Sequence, residues 1–225
     1  SYSMSLASVT TAGNDISISI SSAVDAWGNS ITGIAGISLA GGGAAPSGAL
    51  PSTPSFAVNN GSGAGTMRLL KSGSQLVTIS LNGLLKQQTI SVSPADANRF
   101  RFDLDAVQAV NRAFFGNALL TALDPYGNID TQFSTATDTV RITSSGAGVV
   151  FNGVIGTAAA FSNGLCDLKD FGTGYNGDEP FVTFTARSNS GITGVSQTIG
   201  FSLLKISSGQ LAQSTRYIGE QYTFT

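Results

Sequence analysis

Two carboxylate pairs stand close enough in the sequence to invite general acid–base chemistry: Asp103 with Asp105, and Asp178 with Glu179. Glycoside hydrolysis is the reaction such pairs serve, one carboxyl protonating the leaving oxygen while the other stays ionised. Asp103 and Asp105 are two apart on an expected strand and share its face, where a pair of solvated carboxylates is the ordinary outcome. Asp178 and Glu179 fall in Gly174-Tyr175-Asn176-Gly177-Asp178-Glu179-Pro180, which reads as a turn. There is no histidine, so the usual general base and the commonest transition-metal ligand are both missing, and neither triad nor zinc chemistry is expected. The single cysteine, Cys166, has no partner for an internal disulfide; the alternation of Gly164-Leu165-Cys166-Asp167-Leu168 makes it a small buried residue. Asp25, Asp124 and Asp130 are candidate oxygen ligands for calcium, the one cofactor the sequence offers, at a spacing unlike that of an EF-hand loop. The chain is therefore expected to be no enzyme and to carry no resident cofactor.

Two of those aspartates open the motif around which the chain is organised. Asp124-Pro125-Tyr126-Gly127-Asn128 nearly repeats Asp25-Ala26-Trp27-Gly28-Asn29, at a separation of 124 − 25 = 99 residues. Asp can bond its own backbone two residues on, Gly supplies positive φ and Asn tolerates it, so the chain reverses cheaply there. The aromatic is expected to lie over the edge of the core and fix the corner. Ile16-Ser17-Ile18-Ser19-Ile20 precedes the first copy and Ala118-Leu119-Leu120-Thr121-Ala122 the second, each read as a strand entering the turn. The parallel continues: Phe56 to Gly61 matches Ala160 to Gly164, Val77 to Leu81 matches Phe181 to Thr185, and Gln88-Thr89-Ile90 returns as Gln197-Thr198-Ile199, at 197 − 88 = 109. The growth in offset places the extra residues of the second copy in the stretch from Gly174 to Pro180, read as a loop. Asn59-Asn60-Gly61, Asn82-Gly83 and Asn152-Gly153 are hairpin turn signals. Residues 41–54, rich in Gly and Pro, read as an exposed loop.

A period near 100 residues is the size of one independent β-domain. Composition agrees: 225 residues with 28 Gly, 41% hydrophobic and only 11% charged residues describe short strands joined by polar turns. The expected organisation is all-β, with sandwich domains at 1–94 and 95–203 and a partial third unit, or donor strand, at 204–225. In that last segment Tyr217, Ile218, Tyr222 and Phe224 are the candidate assembly residues, able to add a strand to an exposed sheet edge. A net charge of −2, with 11 Lys and Arg spread thinly, gives no basic face for nucleic acid. No run of 18 apolar residues suits a membrane-spanning helix, so membrane insertion is not expected. Ser1-Tyr2-Ser3-Met4 is no initiator sequence, and the chain reads as a mature or excised piece of something longer.

Ala23-Val24-Asp25-Ala26-Trp27-Gly28-Asn29 with Val77-Thr78-Ile79-Ser80, and Ala122-Leu123-Asp124-Pro125-Tyr126-Gly127-Asn128 with Val182-Thr183-Phe184-Thr185, carry a resemblance over nearly the whole chain. In these motifs it resembles the bacterial immunoglobulin-like (Big) repeats of large surface proteins and adhesins, of the invasin and intimin type. The resemblance implies two tandem immunoglobulin-like β-sandwiches, an extracellular or cell-surface location, and service as a spacer or polymer unit. Partners on that reading are copies of the chain itself or neighbouring repeats, met head to tail. The alternative is a module for surface glycans, with Trp27, Tyr126 and Tyr175 stacking on sugar rings beside the Gly-rich loop near Pro46.

Overall fold

Alternation decides the first element of the core. In β3 (Asp15–Ser21) the three isoleucines point inward and the serines outward; positive φ at Ser22 then inserts one extra residue, so that Ala23 turns inward after Ile20. The computed structural model describes residues 1–157 and 160–202. Residues Tyr217, Ile218, Tyr222 and Phe224, expected to form an assembly strand, lie outside them, as does all of 204–225.

Among the described residues the chain is strands and turns, with one short 3₁₀ turn at Ala40–Gly43 and no α-helix. In the first sandwich, β1 (Ser3–Leu6), β2 (Val9–Thr11) and β3 are followed by β4 (Gly33–Leu39), β5 (Phe56–Asn59), β6 (Ser62–Arg68), β7 (Gly73–Leu81) and β8 (Leu84–Ser93). They form one continuous ladder in the order β1-β3-β6-β5-β4-β7-β8-β2. Its two ends are two pieces of one strand parted only by Ala7 and Ser8: β1 lies antiparallel to β3, whereas β2 lies parallel to β8, pairing Val9 with Ser91 and Thr11 with Ser93. The ladder thus folds over itself, and Ile16, Ile18, Ile20 and Met67 of one face meet Val77, Ile79, Leu81, Ile90 and Val92 of the other. Asn60-Gly61 and Asn82-Gly83 have φ of 48° and 77°, and of 49° and 79°, as the expected two-residue hairpin turns require.

The second sandwich has its own core, built from residues between Phe100 and Phe201 and rich in aromatic edges: the Phe114 and Phe184 rings lie 5.1 Å apart and the Phe133 and Phe161 rings 4.8 Å. A seven-stranded ladder supplies most of it. Its members are β9 (Arg99–Leu104), β12 (Ala118–Leu123), β13 (Val140–Ser144), β15 (Val154–Ile155), β16 (Leu165–Asp167), β19 (Phe184–Ser188) and β20 (Thr193–Val195), in the order β15-β13-β19-β20-β9-β12-β16. A small sheet carries β10 (Val107–Ala109) parallel to β21 (Ile199–Ser202), with β18 (Phe181–Val182) on the other side of β21. The parallel edge of the first sandwich therefore recurs in the second. Both are immunoglobulin-like all-β sandwiches, as expected.

Three expectations need correction. The stretch from Gly174 to Pro180 is not simply a loop: β17 (Gly174–Asn176) is the middle strand of a sheet with β11 (Arg112–Ala113) and β14 (Val149–Phe151). Asn152-Gly153 joins no hairpin, because β14 pairs with β17 and β15 with β13. The expected strand from Phe181 to Thr185 breaks at Thr183, and its two halves belong to different sheets.

Candidate functional site

Locally, the two copies of the D-x-aromatic-G-N turn are the same object. Asp25 Oδ1 accepts from Trp27 N and Asn29 N at 2.8 and 2.9 Å, and Asp25 Oδ2 from Asn29 Nδ2 at 3.0 Å. Asp124 Oδ1 accepts from Tyr126 N and Asn128 N, both at 2.8 Å, and Asp124 Oδ2 from Asn128 Nδ2 at 2.7 Å. In each, the Asp N–H donates to the Asn carbonyl at 2.9 Å, and Gly28 and Gly127 take φ of 87° and 86°. Three N–H donors on one carboxylate favour its ionised form, and those from Asn29 hold the Asp25 carboxyl below the usual carboxylate range.

What differs is the surroundings. Trp27 is 85% exposed, and both Asn29 and Gly28 face solvent, with no atom of the described residues within 4 Å of where a side chain on Gly28 would begin. Asp124 is fully buried and Asn128 is 2% exposed, because the second turn is seated against one loop end of the first sandwich. Asn128 Nδ2 donates to Leu70 O at 2.8 Å, Asn128 Oδ1 accepts from Ser72 N at 2.9 Å, and Ser47 N donates to Tyr126 O at 2.9 Å. The Tyr126 ring packs against the first core, over Gly13, where a side chain would collide with it. Gly13, at φ 87°, is itself in a conformation that favours glycine.

The linker is held from the second side. Asp124 Oδ2 accepts from Ala95 N at 3.1 Å, and Asp130 accepts on Oδ2 from Ala97 N and on Oδ1 from Gln132 N, each at 2.9 Å. Two buried carboxylates, each satisfied by backbone N–H groups, fix the run from Ala95 to Ala97 between the sandwiches. The arrangement is a joint: an Asx turn, one aromatic plug, one amide that reads a C=O and an N–H on the neighbouring domain, and a clamped linker.

The residues singled out from the sequence fall differently. Asp25, Asp124 and Asp130 are not brought together, and among the described residues no group of three His, Cys, Asp or Glu is placed to hold a metal. As for the expected stacking aromatics, Trp27 is exposed and does not cap the core edge, Tyr126 is half-buried in the joint, and Tyr175 is wholly buried. Tyr175 offers no face to a sugar: it sits among Phe184 and Phe201 on the inner side of β17, and its hydroxyl donates to Glu179 Oε2. Burial and that neighbour push the phenol up to about 12, and the same bond draws the Glu179 carboxyl down. Glu179 also accepts from Ala147 N at 2.6 Å. Asp103 and Asp105 are exposed, Asp105 accepting from Asn117 N at 3.2 Å. Cys166 is fully buried, its thiol pushed up to about 12 by burial and then by the charges of Asp167 and Asp170. Sequence reasoning missed Gly13, Leu70 and Ser72 as the seat of the second turn, and nothing local marks them: Asn128 finds its partners 56 and 58 residues away.

No protein-family model matches the chain and no curated protein matches it. Among solved structures it is similar to the crystal structure of invasin, a bacterial integrin-binding protein, with TM-score 0.36 and 12% identity over 89% of this chain and 39% of that one. It is also similar to domains 4 and 5 of the surface-layer protein SbsC (TM-score 0.31, 16% identity, 90% of this chain and 99% of that one). Domains 5–6 of the same protein match at TM-score 0.32 and 17% identity over 89% and 96%. The chain spans about two fifths of the invasin structure. The fold itself is given by the two strand ladders and their separate cores.

Proposed function

We propose that the chain is a structural repeat module of a bacterial extracellular or cell-surface protein, a part of a stalk, surface layer, adhesin shaft or filament. Its work is to hold successive immunoglobulin-like sandwiches in a fixed relation. The observation that carries this reading is the joint: Asp124, Asn128 and Asp130 are buried polar side chains, and their hydrogen bonds go to their own turn, to the linker and to the neighbouring domain. Polar groups are costly to bury unless satisfied, and here they are satisfied by backbone, so they act as fasteners. Two sandwiches joined by a loose linker would need none of them. The partners on this reading are neighbouring repeats, and calcium has no part in it. The test is backbone amide relaxation by NMR. One rotational diffusion tensor for both sandwiches is expected; two independent tensors would overturn the proposal.

One observation favours a second reading. Trp27, 85% exposed, is the kind of flat apolar surface on which a sugar ring stacks. It would act alone, since Tyr126 and Tyr175 are engaged elsewhere. As the only tryptophan in the chain, its emission reports directly: a saturable change on titration with surface glycans supports this reading, and an unmoved spectrum removes it.

A further inference from the structure

The exposed copy of the turn has the shape of a plug with no socket around it. Backbone, capping bonds and glycine conformation match between Asp25–Asn29 and Asp124–Asn128, and the groups within the turn that fasten the second copy have counterparts in the first; beyond the turn Ile31 stands where Asp130 holds Ala97 N. Trp27 stands for Tyr126. Asn29 stands for Asn128, and among the described residues Asn29 Oδ1 and its second amide hydrogen meet no protein partner, whereas those of Asn128 take Ser72 N and Leu70 O. Among the described residues Asp25 Oδ2 receives only Asn29 Nδ2, where Asp124 Oδ2 also receives Ala95 N. The chain approaches both turns alike: Ser1 N donates to Val24 O at 2.7 Å as Asn98 N donates to Leu123 O at 2.9 Å. An 85% exposed tryptophan and an unengaged amide at one loop end are costly surface for a free protein but fit an interface.

From this we infer that the turn Asp25–Asn29 is a docking site for the loop end of another sandwich of the kind formed by residues 1–94. The inference rests on the structural reading above and names the partner of that site. The occupant is defined by what the internal joint uses. It presents a backbone C=O and an N–H two residues apart at a strand exit, as Leu70 and Ser72 do, and a slot floored by glycine, as at Gly13. It is followed by a linker whose N–H reaches Asp25 Oδ2. The loop end of the second sandwich in this chain is built otherwise, since the residues after β16 are drawn into the sheet of β11, β17 and β14 and bury Thr173 and Tyr175. The occupant is thus a repeat of the first kind, seated ahead of Ser1.

The experiment uses the whole chain with a second copy of residues 1–97 placed directly ahead of Ser1 and Trp27→Phe in the added copy. The remaining tryptophan is then the one at the new joint. Its emission is expected to move to shorter wavelength and its quenching by acrylamide to fall several-fold relative to the present chain, with Asn29→Ala restoring much of the quenching. Quenching unchanged while the added copy folds, judged by circular dichroism, would overturn the inference. Should the added copy not fold, the unextended chain carrying Trp27→Phe and Tyr126→Trp decides instead. A protected tryptophan at position 126 upholds the inference, and a freely quenched one overturns it by showing that a tryptophan-bearing turn does not seat. The outcomes separate from those of the parent reading. Independent tumbling of the two sandwiches sinks that reading, whereas an exposed Trp27 in an extended chain that tumbles as one body sinks only the docking site.

Discussion

The same substitution made in both copies of the turn should have very different costs. Asn128→Ala removes a donor to Leu70 O, an acceptor for Ser72 N and a donor to the Asp124 carboxylate, at 2.8, 2.9 and 2.7 Å, from a side chain that is 2% exposed. At about 1 kcal/mol for each neutral bond and somewhat more for the charged one, with no water to replace them, the loss is about 3–4 kcal/mol. Asn29→Ala removes one bond, to Asp25, at an exposed site where water substitutes, and should cost below about 1 kcal/mol. If the two sandwiches melt as one unit, about 3 kcal/mol lowers the midpoint by about 6–12 °C. Asn128→Asp should be no better than Ala near neutrality, because it sets a second carboxylate against Asp124 and Leu70 O, and it should recover as the pH falls. The assay is thermal and urea unfolding of the three variants beside the parent chain, followed by circular dichroism. Equal losses for Asn29→Ala and Asn128→Ala would refute the claim that the second turn is a joint and the first an open copy of it.

Two other outcomes follow from buried titratable groups. Cys166 should ignore a thiol reagent in the folded protein at mildly alkaline pH and react fully in urea, since burial holds its thiol up to about 12; prompt reaction without denaturant would contradict the packing of β16. Tyr175, raised to about 12 in the folded chain, makes a contribution to stability that is complete below the ordinary tyrosine value of 10 and is lost as the pH rises through about 12. Ultraviolet titration should therefore find a late tyrosine, and Glu179→Gln should bring it earlier without restoring the ordinary value, because burial is the larger cause; no movement would mean that Glu179 is not its partner.

Legibility ran along the strands and stopped at their neighbours. Ile16, Ile18 and Ile20 declare their buried face by alternation alone, and Asn60-Gly61 and Asn82-Gly83 declare their turns by the positive φ that only such residues adopt readily. The Asx turn was legible twice over, in Asp25 and again in Asp124. Its two fates were not, because the difference between an exposed Trp27 and a seated Tyr126 lies in Leu70 and Ser72, which no local pattern ties to Asn128. Tyr175 misled for a related reason: a strand three residues long, opening on Gly174 and followed by Gly177, resembles a loop until β11 and β14 close on either side of it.

The parallel edges have a mechanical consequence. β2 and β8 run in the same direction, with Ser91 N bonded to Ser8 O and Ala12 N to Ser93 O, both at 2.8 Å, and β10 runs with β21 in the same way. Tension applied between the start of a sandwich and its last strand drags such a pair past each other lengthwise. Every bond of the ladder is then strained at once, whereas an antiparallel hairpin pulled from its open end peels one rung at a time. A polypeptide strung from such units resists stretching along the direction in which its domains are threaded, and it yields domain by domain, each rupture releasing slack before the next is stressed.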